Sequence, residues 1–271
     1  MCWHRWPVLA ILGAVPVDAD TVASALVSTW EHLVIALPHG WVRRESGLMA
    51  GVTGVAVPTL NGVWSERLAP DEGLVEASLD EIAGLGLPYC LQLRPGAPER
   101  LTALAEQRGM VKEEPIPLMA LEGTRGPEAA GVVTPLRIRQ LAPDEAFLHA
   151  SIAARGFETS EEPFAQLMTP EMLRRPGARC YVGMIGDDVV TTGVGVTLGD
   201  FVGIFNVATP PEHRHHGFGA AVAARAASDG FASGARWAYL QSSRAGHGIY
   251  VRLGYVDLER WDCWVAPAAG G

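Results

Sequence analysis

The chain has 271 residues, 48% of them hydrophobic and 19% charged, which supplies one large core or two modest ones and excludes extensive disorder. A net charge of −9 excludes a general nucleic-acid binder, whose affinity comes from neutralising phosphates with Lys and Arg; it fits a soluble acidic surface that would at most attract cationic substrates. Four scattered cysteines, Cys2, Cys90, Cys180 and Cys263, include no C-x-x-C pair, so the expectation is buried cytoplasmic thiols rather than a disulfide framework or zinc site.

The N-terminal stretch M-C-W-H-R-W-P-V-L-A-I-L-G-A-V-P-V superficially resembles a signal peptide, but Pro7 and Pro16 break its apolar run. A helix follows, capped by Asp18 or Asp20, with Val22, Leu26, Trp30 and Leu33 at helical spacing. Valines, glycines and turn residues over 40–64 predict consecutive strands. Next come a helix from about Asp71 to Leu85, a strand at Y-C-L-Q-L-R-P, a helix ending at Gly109 and a strand at P-I-P-L-M-A-L-E. The Gly- and Pro-rich segment 122–135 reads as a linker, centred on 126–134. Beyond it lie a strand at L-R-I-R-Q-L, a helix opened by Pro143, a second helix near 161–174 and an antiparallel meander that ends at F-V-G-I-F-N-V-A. A helix from Ala220 to Phe231, a strand at R-W-A-Y-L-Q-S-S, a short helix at G-I-Y-V-R-L-G-Y and a closing strand complete the pattern. The halves echo each other in order: Y-C-L-Q-L-R-P-G against Y-L-Q-S-S-R-A-G, then R-G-M-V against L-G-Y-V, which suggests a duplicated α+β unit. No stretch approaches the roughly 18 uninterrupted apolar residues of a membrane span.

Chemistry concentrates in I-F-N-V-A-T-P-P-E-H-R-H-H-G-F-G, residues 204–219. A strand there runs into two prolines, then into Arg214, Gly217 and Gly219, then into a helix. Glycines allow a ligand to approach the backbone, and a helix's first turn presents unpaired N–H groups at its positive end, so the segment can cradle a diphosphate. The absence of G-K-[ST] excludes a P-loop, and G-F-G-A-A-V lacks the third glycine of the dinucleotide fingerprint.

R-H-H-G-F-G (214–219) with V-A-T-P upstream resembles the coenzyme-A signature of the Gcn5-related N-acetyltransferases (GNAT). S-S-R-A-G-H-G-I-Y-V-R-L-G-Y resembles that family's later motif, with a tyrosine before Leu-Gly-aromatic. The resemblance covers about 133–267. It implies an α+β, α/β/α-layered fold with two tandem GNAT-like domains, each a mixed, mostly antiparallel sheet flanked by helices. The first, 1–125, is degenerate, with neither R-x-x-G-x-G nor a tyrosine matching Tyr250; the second, 135–271, binds acetyl-CoA.

Direct acetyl transfer from acetyl-CoA to a primary amine is the implied reaction. The backbone of Val207, Ala208 and Thr209 would run along the pantetheine arm, with an amide near Val207 polarising the thioester oxygen. Arg214, His215, His216, Gly217, Phe218, Gly219 and Ala220 would surround the diphosphate, with Arg214 itself positional. Ser243 stands where relatives often place an asparagine near the cofactor. Tyr250 is the candidate acid for the departing thiolate. Asn206 cannot act as a base, but it can orient a substrate amide or a water. The base itself is not identified: Glu158, Glu161, Asp200 and His247 are each more readily explained as solvated, and deprotonation through waters stays open. His213, His215 and His216 do not converge as metal ligands do, and the family needs no metal. Trp41 and Trp64 are expected in the core rather than in a pocket. Expected partners are a small-molecule or peptide amine acceptor and at most a second copy of the chain as a homodimer, with no nucleic acid and no membrane. A non-catalytic acyl-CoA sensor or partner-binding module on the same fold is the alternative.

Overall fold

The computed structural model describes residues 17–127 and 135–266; the leader-like stretch and 128–134 of the expected linker lie outside them. Helix α1 (Ala19–Val34) begins where Asp18 accepts the Thr21 N–H at 2.7 Å. The strands β1 (Trp41–Glu45), β2 (Leu48–Val52) and β3 (Asn61–Ser65) form an antiparallel meander. Helix α2 (Glu72–Ala83) returns the chain to β4 (Tyr89–Leu93), which lies parallel to β3. Helix α3 (Glu99–Gln107), the two-residue β5 (Val111–Lys112) and β6 (Ile116–Glu122) follow.

The second half repeats this order with additions. After β7 (Arg137–Gln140) come a 3-10 turn at Pro143–Glu145 and three helices, α4 (Ala146–Phe157), α5 (Glu162–Leu167) and α6 (Pro170–Leu173). The meander is β8 (Ala178–Ile185), β9 (Asp188–Leu198) and β10 (Phe201–Ala208). Then α7 (Phe218–Ala232) leads to β11 (Trp237–Gln241), α8 (Arg244–Arg252) and β12 (Val256–Ala266). The single helix expected over 161–174 is two. Pro170 pushes its predecessor out of helical backbone, and Thr169 in extended conformation caps α6 by accepting the Met172 N–H. Helix α8 also starts earlier than its Gly248 expectation, at Arg244, because Ser243 caps it.

The strands form one 12-stranded sheet in the order β1-β2-β3-β4-β12-β6-β11-β10-β9-β8-β7, with β5 also against β12. Its neighbours are antiparallel except for β3–β4 and β10–β11. The halves interlock at its centre. Strand β6 of the first half lies between β11 and β12, while β12 pairs with β6 through 256–261 and with β4 through 262–266. Both faces of β4 and of the middle of β6 are buried, so neither strand can stand at an edge.

Alternation along these strands sets the layers. Leu91 and Leu93 meet α2 and α3, and Met119 and Leu121 meet α7. On the opposite face, Cys90, Leu118, Ala120, Tyr239 and Trp261 meet α1, which therefore spans both halves. A buried ion cluster fastens the joint. Arg94, 3% exposed, grips Glu259 with two hydrogen bonds of 2.8 and 2.9 Å, reaches Asp20 at 2.6 Å and donates to the Glu66 carbonyl; Trp261 Nε1 donates to the same Glu259. Apolar packing of this kind, with paired buried charge, is what keeps two half-sheets in register.

Candidate functional site

Strands β10 and β11 pair only from Phe201↔Trp237 to Gly203↔Tyr239. Beyond that point β10 runs on for five residues without β11. Its pairing with β9 is irregular between Phe205 and Ala208, where Asn206 takes a left-handed φ of 48°. This is a bulge, which bends a strand and re-aims its side chains. The end of the strand is held from both sides. Thr191 Oγ1 donates to the Ala208 carbonyl at 2.9 Å and lies 2.9 Å from Thr209 Oγ1. Gly156 of α4 lies so close that a Cβ there would fall 2.8 Å from the Ala208 methyl and 2.9 Å from the Thr209 amide nitrogen.

The loop to α7 leaves the helix's first turn open. Gly217 occupies the cap position at φ 79° and offers no side chain, and no acidic residue stands in the first turn. A side chain at Gly219 would begin 3.2 Å from Thr209 Oγ1. The result is an uncapped helix start next to a splayed strand, with its N–H groups and positive dipole end facing outward. Phe218 is buried and anchors the turn. Arg214 does not reach over it. Its guanidinium donates to the carbonyls of Thr209 (3.2 Å) and Gly156 (2.8 Å) and pairs with Glu158 at 2.9 Å, tying the loop to the end of α4. His216 donates from Nδ1 to the Arg214 carbonyl at 2.7 Å and stacks on Phe218; both it and His215 are exposed. No cluster of potential metal ligands occurs among the described residues.

Tyr250 and Asn206 come together as lining of one cavity, although 44 positions separate them in the chain. Tyr250 is half-buried, packs edge-on to Tyr255 at 5.8 Å, and has its phenol pushed up to about 12 by burial, so it carries its proton at neutral pH. Ser243 lines the same cavity, but its hydroxyl is the α8 cap and accepts the Gly246 N–H at 3.1 Å. The neighbouring Ser242 was not anticipated: it is buried, lines the cavity, and its Oγ has no hydrogen-bond partner. Gln241 donates to Gln92 at 3.1 Å across the joint between the halves.

None of the four base candidates lines the cavity. Glu158 is engaged by Arg214, and Glu161 is exposed. Asp200 precedes β10 at the end remote from Ala208 and pairs with Arg236, so it is ruled out by strand length alone. His247 bonds Asp257 at 2.8 Å. A titratable group missed in the sequence lies behind β9. His149 is buried, holds Thr192 Oγ1 at 2.8 Å through Nδ1, and is pushed down to about 4 by burial.

The cavity measures about 430 Å³. Its walls come from α1 (Trp30, Leu33), β10 (Ile204, Phe205) and the α5–α6 region (Met168, Met172), with Gln92 and Gln241 at the joint between the halves. Trp64 is fully buried and stacks on Trp30 at 6.0 Å; Trp41 packs against the α2–α3 core, so both are core residues as expected. Trp30 is the tryptophan that reaches the cavity, and in sequence it is one more position of α1's apolar stripe.

Residues 140–255 match the family model of the acetyltransferase (GNAT) family. Among solved structures, the chain is similar to a GCN5-related N-acetyltransferase from Kribbella flavida, with a TM-score of 0.70 at 20% identity over 95% of this chain and 98% of that one. A GCN5-related N-acetyltransferase from Sphaerobacter thermophilus gives 0.63 at 16% identity over 92% and 86%. A functionally unknown conserved protein from Staphylococcus epidermidis gives 0.62 at 12% over 85% and 94%. No curated protein matches. At these identities the structures speak for the fold, and the family model speaks for the segment bearing the splayed strand and the open helix: residues 140–255 are a GNAT-family acetyltransferase domain.

Proposed function

We propose that the protein is an acetyl-CoA-dependent N-acetyltransferase with one cofactor site, in the second of two tandem GNAT-like units, acting on a primary amine in the cytoplasm. The carrying observation is the open first turn of α7 beside the unpaired end of β10. A diphosphate fits where the Gly217 and Gly219 amides are free of side chains, and the free edge of 204–208 can accept the amide-bearing pantetheine arm as an added strand. The buried thiols Cys90, Cys180 and Cys263 are in keeping with a reducing compartment.

Acetyl-CoA supplies an activated acyl thioester. Around it, the Val207 amide can donate to the carbonyl oxygen, and Asn206, held by the bulge at the cavity wall, can orient the incoming amine. The amine nitrogen forms a bond to the acyl carbon as the carbon–sulfur bond breaks, and the proton lost by nitrogen balances the one gained by sulfur. Full transfer from a phenol near 12 to the thiolate of a more acidic thiol would run uphill, so Tyr250 acts first as a hydrogen-bond donor to developing charge on sulfur. Tyr250→Phe should lower kcat by about 100-fold with little change in KM, measured by thiol release across an amine panel.

A second reading, a non-catalytic acyl-CoA sensor, is favoured by one observation: among the described residues no carboxylate or imidazole lines the cavity. Calorimetric binding of acetyl-CoA without thiol release from any amine, and no effect of Tyr250→Phe, would establish it.

A further inference from the structure

If the protein is an acetyltransferase, the lining of its cavity bears on the identity of the acceptor. Among the described residues, every lining side chain is uncharged, and Tyr250 is the sole one that titrates. Most are aliphatic, aromatic or thioether groups, drawn from α1, β10 and the α5–α6 region. Three polar groups meet at the joint between the halves, where Gln92 and Gln241 are paired and Ser242 Oγ is buried without a partner; Thr53, Thr59, Asn206 and Ser243 add neutral polar groups elsewhere in the lining. An ammonium brought here would lose its water and find no counter-charge, which is among the most unfavourable transfers in a protein. The overall charge of −9 draws cations to the surface, but it does not extend into this space.

The geometry points to an acceptor that is an apolar, weakly basic amine, such as an arylamine, with its hydrocarbon body between Trp30, Met168 and Met172 and a polar substituent at Ser242 and Gln241. This class also accounts for the missing base. An alkylamine with the basicity of lysine is neutral in only about 1 molecule in 2,500 at pH 7, whereas an amine whose conjugate acid titrates well below 7 arrives ready to attack. Polycations and lysine-bearing peptides are excluded by the same lining.

The test uses the isomers p-toluidine and benzylamine, which share composition and differ in basicity. Acetyl-CoA binding to the full chain is measured first by calorimetry, then thiol release with each amine from pH 6 to 9. At pH 7 p-toluidine should have a kcat/KM at least about tenfold higher, flat with pH, while benzylamine climbs about tenfold per unit. Gln241→Glu, placing a carboxylate in the half-buried polar corner, should move the ratio toward benzylamine by about tenfold, at some loss of stability because the hydrogen bond donated to Gln92 is removed. A higher kcat/KM for benzylamine or a lysine peptide at pH 7 would overturn the assignment. So would octanoyl-CoA binding at least tenfold more tightly than acetyl-CoA, since the cavity would then hold an acyl chain. Failure to bind acetyl-CoA at all would appear before any amine is added, and it would sink the acetyltransferase reading itself.

Discussion

Two helices in this molecule follow a strand that lies parallel to its neighbour, and their first turns are built in opposite ways. In the first half, β3 stops one residue after its last pairing with β4, and α2 begins under Asp71, whose carboxylate accepts the Leu74 N–H at 2.8 Å, with Glu72 beside it. In the second half, β10 continues five residues past its last pairing with β11, and α7 begins at Gly217 with no side chain to cap it and no acid in its first turn. The first arrangement satisfies one of the helix's free N–H groups internally and places negative charge at its positive end. The second leaves them for something else. Strand order and helix placement are alike in both halves, so the fold does not require the open turn; the proposed diphosphate cradle would.

The largest effect should come from separating the two halves rather than from either site. Arg94→Met leaves Glu259, which is nearly buried, without its cation, and should destabilise the protein by about 3–5 kcal/mol in urea unfolding. Adding Glu259→Gln should restore part of that loss, because no buried charge then stands alone. Acid should act on the second half next. His149 is held near 4 in the fold against about 6.5 unfolded, so the unfolded chain takes up the proton first as pH falls. Its contribution is complete above about pH 6.5 and declines to pH 4 by about 3 kcal/mol. Urea titrations at pH 7 and 4.5 should show about 2 kcal/mol less acid sensitivity in His149→Gln.

At the open turn, Gly217→Glu adds a side chain where φ is 79° and a negative charge where the diphosphate is proposed to sit. Acetyl-CoA affinity should fall by at least about 100-fold in calorimetry, and unchanged affinity would refute the cradle.

Much of this contrast was legible before the structure. Helical spacing and alternating strands mark the elements, and the glycines of 214–219 mark the open turn, because local backbone needs leave local signatures. The interlock of β6 and β12 leaves none: I-P-L-M-A-L-E is an apolar strand whichever sheet receives it, and its partners lie more than 100 residues away. The cavity is hidden for a related reason. Trp30, Leu33, Met168 and Met172 have the spacing of core residues, and only the convergence of α1 with the second half turns them into a wall. Asp200, in contrast, could have been set aside from sequence, since it precedes the eight-residue β10 and Ala208 ends it.

The smallest prediction sharpens the comparison most. Asp71→Ala opens the first turn of α2 and should destabilise the protein by about 1 kcal/mol, the ordinary effect of losing a cap. It should not create a second cofactor site. Strand β3 remains paired with β4 up to Trp64↔Gln92, so no free strand edge adjoins the opened helix, and Glu72 still opposes an anion there. Calorimetry on the variant should therefore report one acetyl-CoA per chain, as for the parent. Two per chain would mean that the uncapped turn alone is sufficient for binding, and the splay of β10 would lose its place in the explanation of the site.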